Sequence, residues 1–138
     1  MLNFLGALKG WVDILKRGFK QILADANALI ETVSVQDLSF VLDDDETVLV
    51  DVRETVEREN DGLIPGSVHA PRGLLEFQAD PESPNYNVAL NPEFRLILYC
   101  GTGGRSALAT KTLIEMGFSN VASLAGGYAA WRAARDQQ

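Results

Sequence analysis

Hydrophobic and polar positions recur along this chain with two different periods. Over residues 4–30, Phe4, Leu5, Leu8, Trp11, Val12, Leu15, Phe19, Ile22, Leu23, Leu29 and Ile30 repeat at helical spacing, with Lys9, Asp13, Lys16, Arg17 and Lys20 on the opposite side. One long amphipathic helix is predicted there. Ser34 then offers an N-cap to a short helix over Gln36–Leu42, and Asp43–Glu46 form an acidic turn. TVLVDV, residues 47–52, is an apolar, β-prone run and reads as a buried strand. RETVEREN (53–60) is helical in composition and ends at Asp61-Gly62. A turn at Pro65-Gly66 leads to a short strand over Ser67–Ala70, then a helix over 73–79 and a proline-rich loop over 80–87. Leu96–Tyr99 is a further buried strand. A helix over 106–116 closed by Gly117, a strand over Val121–Leu124 and a helix over Tyr128–Arg135 complete the chain.

Strands that alternate with helices predict an α/β fold: a mostly parallel sheet covered by helices on both faces, here preceded by the N-terminal amphipathic helix. The change of pattern divides the chain into a helical extension, 1–31, and a compact domain, 32–138. In such sheets ligands bind beyond the carboxyl ends of the strands. Those ends carry Asp51 and Arg53, Pro71 and Arg72, Cys100 to Arg105, and Ala125 to Gly127. Arg53 and Arg72 either draw a small anion to that rim or form ion pairs, with Asp51 or Glu76 for example; position alone leaves both readings open.

The strand at 96–99 runs into Cys100, and Gly101, Thr102, Gly103 and Gly104 lead on to Arg105 and Ser106, where a helix begins. At a strand–loop–helix junction the unpaired N–H groups of the loop and of the first helical turn can converge on one anion. Here they would face the sulfur of Cys100. A helix N-terminus and a nearby arginine lower a thiol's pKa from ~8.5, and the thiolate is the nucleophile. Cys100 is therefore the candidate nucleophile, and residues 101–106 the candidate binding loop. A lone cysteine is otherwise a small buried hydrophobe, a reading that leaves the neighbouring glycines and arginine without a role.

Composition narrows the chemistry. A chain of 138 residues with 46% hydrophobic residues suits one domain with its own core. One cysteine excludes an internal disulfide, and the single histidine, His69, leaves no metal-ligand cluster, so no metal or cofactor is expected. A reducing, cytoplasmic compartment fits. The net charge of −7 argues against a nucleic-acid partner. Residues 1–31 carry +1 and the remainder −8, and no apolar run approaches the ~20 residues that span a bilayer. The apolar face of residues 4–30 fits its own domain, a second copy of the chain in a homodimer, a partner protein, or a membrane surface that would make the protein peripheral.

Four separated segments, DVRE (51–54), GLIPGSVHAP (62–71), YCGTGGRSALA (99–109) and GGYAAW (126–131), resemble the single-domain rhodaneses, a sulfurtransferase family, in the family's order. The resemblance covers residues 33–135. It matches Cys100 to the catalytic cysteine and residues 101–105 to the active-site loop, with Gly103 and Arg105 at characteristic positions. Leu63 and His69 depart from it, standing where the family often has histidine and asparagine. It implies that the thiolate takes sulfur from a small anionic donor such as thiosulfate, holds it as a persulfide on Cys100, and yields it to an external acceptor: cyanide, a small thiol, or a partner protein's cysteine. The family also serves as binding or regulatory modules with little turnover, an alternative that a tethering N-terminal helix suits. Cysteine phosphatases of the same broad fold use a Cys-x5-Arg cradle; four residues separate Cys100 from Arg105 here, a ring sized for one sulfur rather than a tetrahedral oxyanion. GTGGRS lacks the lysine of a P-loop.

Overall fold

The computed structural model describes residues 4–137, without the side chains of Phe4, Leu5, Val12 and Asp13. In chain order the elements are α1 (Phe4–Ile14), α2 (Phe19–Leu29), β1 (Glu31–Val33), α3 (Val35–Leu42), β2 (Thr47–Asp51), α4 (Thr55–Asp61), β3 (Val68–His69), α5 (Leu75–Ala79), β4 (Arg95–Tyr99), α6 (Gly104–Met116), β5 (Val121–Leu124) and α7 (Gly127–Asp136). The strands form one parallel sheet in the order β1-β5-β4-β2-β3. Asp51 lies beside Tyr99, and Leu98 beside Ser123.

The parity of β4 decides where the chemistry falls. Side chains of a strand alternate between faces. Leu96, Leu98 and Cys100 join Val50, Leu75, Leu113 and Phe118 in a core on one face. Ile97 and Tyr99 join Val33, Leu38, Leu49, Leu124 and Tyr128 on the other. Cys100 continues the parity of Leu96 and Leu98, which carries its side chain into the core that holds Ala109 and Leu113 of α6. Burial on both faces explains why the strands read as continuous apolar runs.

The N-terminal region departs from the sequence expectation. One helix over 4–30 is predicted; the structure has two, separated at residues 15–18, followed by an edge strand, β1. Gly18 takes an extended conformation (φ −89°, ψ 172°) as the N-cap of α2. Glycine in a helix interior costs about 1 kcal/mol relative to alanine, so the break falls where propensity is weakest. Arg17, beside the break, pairs with Asp25 one helix on. The predicted apolar face is thereby divided. Ala26 is buried, as α2 packs on α6, whereas Trp11, Ile14, Leu15, Phe19 and Leu29 stay exposed. The positions assigned to Phe4, Leu5, Val12 and Asp13 on that helix lie outside the described side chains. β1 goes unpredicted because Glu31-Thr32-Val33 is too short to show a period; its pairing with β5 makes it a strand. A 3-10 turn over Arg72–Leu74 replaces the first turn of the helix expected at 73–79.

Candidate active site

The loop after β4 is held from both sides. Its carbonyls point to α7: the N–H of Tyr128 donates to Cys100 O at 2.8 Å, and that of Ala129 to Gly101 O at 3.0 Å. This close approach requires Gly127, where a Cβ would stand 2.6 Å from Cys100 O and 2.8 Å from Gly101 O. With the carbonyls engaged, the amides turn toward the sulfur. Gly103 N–H donates to Cys100 Sγ at 3.1 Å and Ser106 N–H at 3.3 Å, and the Ser106 hydroxyl stands 3.5 Å away. Gly103 reaches this geometry with φ +112°, in the left-handed region that glycine favours.

Cys100 is 1% exposed. Burial alone pushes its thiol up. The Ser106 hydroxyl and the amides of Ser106, Gly103 and Thr102 outweigh that and hold it below its ordinary value. Ser106 is itself held by Ser123, Oγ to Oγ at 2.8 Å. Its amide and hydroxyl are thus aimed at Sγ by a second buried serine.

The arginines separate into different roles. Arg105 lies over the loop, its guanidinium bound two-fold by Glu57 of α4 at 2.6 and 2.8 Å. Arg72 pairs with Glu76 at 2.9 Å and reaches Thr112 of α6 at 3.0 Å. Arg53 and Asp51, considered for the rim, are 1% and 0% exposed and face each other. Asp51 accepts from the Arg53 backbone N–H (2.9 Å), Arg53 Nη2 (2.9 Å), Arg58 Nη1 (2.8 Å) and the Tyr99 hydroxyl (2.9 Å). Burial raises the Asp51 pKa, and these donors, Arg53 first, reverse it. The Arg53 guanidinium also packs over the Tyr128 ring at 4.5 Å. The ion pairs weighed for Arg53 and Arg72 are therefore both formed, and neither Asp51 nor Arg53 presents charge to solvent.

Sequence reasoning missed Glu57 and Ser123. Ser123 carried a signal, a hydroxyl inside the apolar run VASL. Glu57 carried none, because its partner lies 48 residues away.

Residues 34–134 match the rhodanese-like domain. The chain belongs to the rhodanese-like family. Similar proteins include a mouse thiosulfate sulfurtransferase/rhodanese-like domain-containing protein, 31% identical over 133 residues that span 91% of this chain and 85% of the relative. The structure of a human single-domain sulfurtransferase is similar, with 28% identity, a TM-score of 0.65, and coverage of 74% of this chain and 95% of that one. A structure from Rhodopseudomonas palustris, of a protein of unknown function described as a possible tyrosine phosphatase, is 41% identical with a TM-score of 0.83, covering 88% and 93% of the two chains. For this rhodanese-like chain, the family role is sulfur transfer. Among the described residues no helix is long and apolar enough to cross a membrane.

Proposed function

We propose that this protein transfers sulfane sulfur through a persulfide on Cys100, with thiosulfate or a related anion as donor and an external thiophile as acceptor. The observation that carries the reading is the convergence of the Gly103 and Ser106 amides on Cys100 Sγ. In the loading step the thiolate attacks the outer sulfur of thiosulfate, a new S–S bond forms, and the bond to the sulfonate sulfur breaks with its electron pair leaving as sulfite. One negative charge stays on the outer sulfur of the persulfide. Fixed backbone dipoles stabilise such a charge without reorganising. The step moves no proton, so it needs no general base. Gly101 to Gly104 shape the cradle, while Arg105 and Arg72 are the partly exposed cations near enough in the fold to attract the donor anion.

Phosphatase chemistry is the second reading, because the Rhodopseudomonas structure carries that description. The ring here is one residue shorter than a Cys-x5-Arg cradle, and its arginine is occupied by Glu57. Intact-mass measurement decides between them. After thiosulfate the protein should gain one sulfur atom that maps to Cys100 and is removed by cyanide. Cys100→Ser should gain none while unfolding as cooperatively as the parent. A folded parent without the adduct overturns the reading in favour of a binding module, and hydrolysis of an aryl phosphate lost in Cys100→Ser overturns it in favour of a phosphatase.

A further inference from the structure

The N-terminal extension supplies one wall of a groove whose other wall is the Cys100 loop. The groove has a volume of about 270 Å³. Leu23 and Asn27 of α2 and Thr32 of β1 line one side, Thr102, Gly103 and Gly104 the other, with the buried Ser123 and Leu124 of β5 contributing as well. Its structure is shared with the sulfur cradle. Gly103, which lines the groove, donates its N–H to Cys100 Sγ at 3.1 Å. Ser123, also in the lining, holds Ser106 at 2.8 Å.

The lining contains no charged side chain, so it does not suit the dianionic donor. It is not apolar either. The side chains of Asn27, Thr32 and Thr102 have no hydrogen-bond partner among the described residues, and they stand beside Leu23 and Leu124. A carboxamide offers donor and acceptor together, and a hydroxyl does the same. Such a surface complements an amide group flanked by methylenes. The volume falls just below the roughly 300–1,000 Å³ of sites that enclose a whole drug-sized ligand. It suits the tail of a molecule whose reacting end lies at Cys100. Leu23, Asn27 and Thr32 all precede the segment matched to the family, 34–134, so this wall is an addition to the shared domain.

We propose that the groove is the acceptor subsite and takes the uncharged, amide-bearing tail of a small thiol. The proposal rests on the persulfide reading above. In the step it serves, the acceptor's sulfur bonds to the outer sulfur of the persulfide. The bond from that sulfur to Cys100 breaks, its electron pair returns to Cys100 as thiolate, and the thiol's proton leaves on the product persulfide.

The test compares two thiols on sulfur-loaded protein: N-acetylcysteamine, which has an amide tail, and 2-mercaptoethanol, which has none. Intact mass records loading before either is added, and then the rate of discharge. The wild type should discharge faster to N-acetylcysteamine, and Asn27→Ala should lower the ratio of the two rates roughly fivefold, the size of one lost hydrogen bond. Thr32→Val, which keeps the volume, should lower it in the same direction and serves if Asn27→Ala does not fold. A ratio near one in the wild type, or one unchanged by both substitutions, overturns the proposal. S-methyl N-acetylcysteamine, which cannot accept sulfur, should shift the NMR signals of Asn27 and Thr102 in the wild type and not in Asn27→Trp, where the groove is filled; absence of shifts in the wild type also overturns it. Failure of Cys100 to load at all refutes the persulfide reading and this proposal with it, and is visible before any thiol is present.

Discussion

Two buried polar groups stand at the carboxyl ends of neighbouring strands, and they are satisfied in opposite ways. Asp51 closes β2 and Cys100 follows β4; they are 0% and 1% exposed. Asp51 is enclosed by guanidinium groups, from Arg53 at 2.9 Å and Arg58 at 2.8 Å, and by the Tyr99 hydroxyl. Cys100 Sγ is met by backbone N–H groups and one serine hydroxyl. A carboxylate saturated by counter-ions has no lone pair left for chemistry, and its ion pairs fasten α4 and the segment at Gly62 to the sheet. Dipoles stabilise a negative charge without neutralising it, so a thiolate held by them alone stays reactive. Burial is equal in the two places; the kind of partner separates a structural charge from a chemical one.

The largest effects should come from breaking the saturated cluster. Arg53→Met leaves Asp51 buried with its closest counter-charge gone. Removing one partner of a buried pair costs about 3–5 kcal/mol, to be read by denaturant unfolding. Pairing it with Asp51→Asn should recover part of the loss. By contrast, Cys100→Ser should change stability by less than roughly 1 kcal/mol, the scale of a single neutral hydrogen bond. Equal losses from Arg53→Met and Cys100→Ser would sink the distinction drawn here.

The loop itself can be disturbed at two glycines. Gly127→Ala places a Cβ 2.6 Å from the Cys100 carbonyl oxygen, at a residue with φ +59°. Overpacking and left-handed strain together should cost roughly 2–4 kcal/mol. Gly103→Ala has room, its nearest contact lying at 3.6 Å, and should cost only the strain of its positive φ, about 1–2 kcal/mol. Sulfur transfer should fall in both, since either change re-aims an amide at Sγ, with Gly127→Ala the less stable. The reverse order of stabilities would mean that α7 does not brace the loop.

Most of the central domain was legible because its elements carry strong local signals. TVLVDV and LILY show runs of β-prone residues, Gly117 ends α6 with φ +111°, and Ser34 caps α3 by accepting from Asp37 N–H at 3.2 Å. Cys100 and its glycines were legible for the same reason, being contiguous. What escaped depends on contacts between distant segments. Periodicity carries through Arg17-Gly18 unbroken, yet the helix stops there. Charge at Asp51 and Arg53 looked available at the rim until the arrangement of Tyr99, Arg58 and Gly62 around them was known. Glu57 reads as one more acid in a charged helix; only the return of the chain at Arg105 gives it a partner.

A smaller effect belongs to Ser106. Removing its hydroxyl in Ser106→Ala takes away the first of the groups that offset burial of the thiol. The thiolate's ultraviolet absorbance, corrected with Cys100→Ser, should titrate below the ordinary ~8.5 in the wild type and move upward in Ser106→Ala. The sign extends to stability. An acid whose folded pKa is lowered stabilises the fold above its unfolded pKa, here above pH ~8.5, and loses that contribution as pH falls through the folded value. The difference in unfolding free energy between wild type and Cys100→Ser should therefore grow from neutral toward pH ~9. A flat difference would mean the amides do not favour the thiolate.

The smallest effect concerns the pair that stands between the two clusters in character, a full charge pair placed beside the dipolar cradle. Arg105 holds the Glu57 carboxyl down to about 2. Glu57 therefore contributes stability in full above its unfolded value of ~4.3, and that contribution disappears as pH falls through about 2. Both side chains retain solvent contact, 44% for Arg105 and 28% for Glu57, so the pair should be worth no more than about 1 kcal/mol. Glu57→Gln keeps an oxygen that can accept from the Glu54 backbone N–H, as Glu57 does at 3.0 Å, while removing the charge that engages Arg105. Stability near neutral pH should fall by less than about 1 kcal/mol, and the loss between pH ~4.3 and ~2 should be shallower than in the wild type. Transfer responds in the other direction. A guanidinium released from Glu57 is free to meet an anionic donor, so KM for thiosulfate should fall severalfold while the rate of discharge to cyanide by preloaded protein stays the same. A KM that does not move would assign Arg105 to holding α4 against the loop, and would leave attraction of the donor to the amides around Cys100.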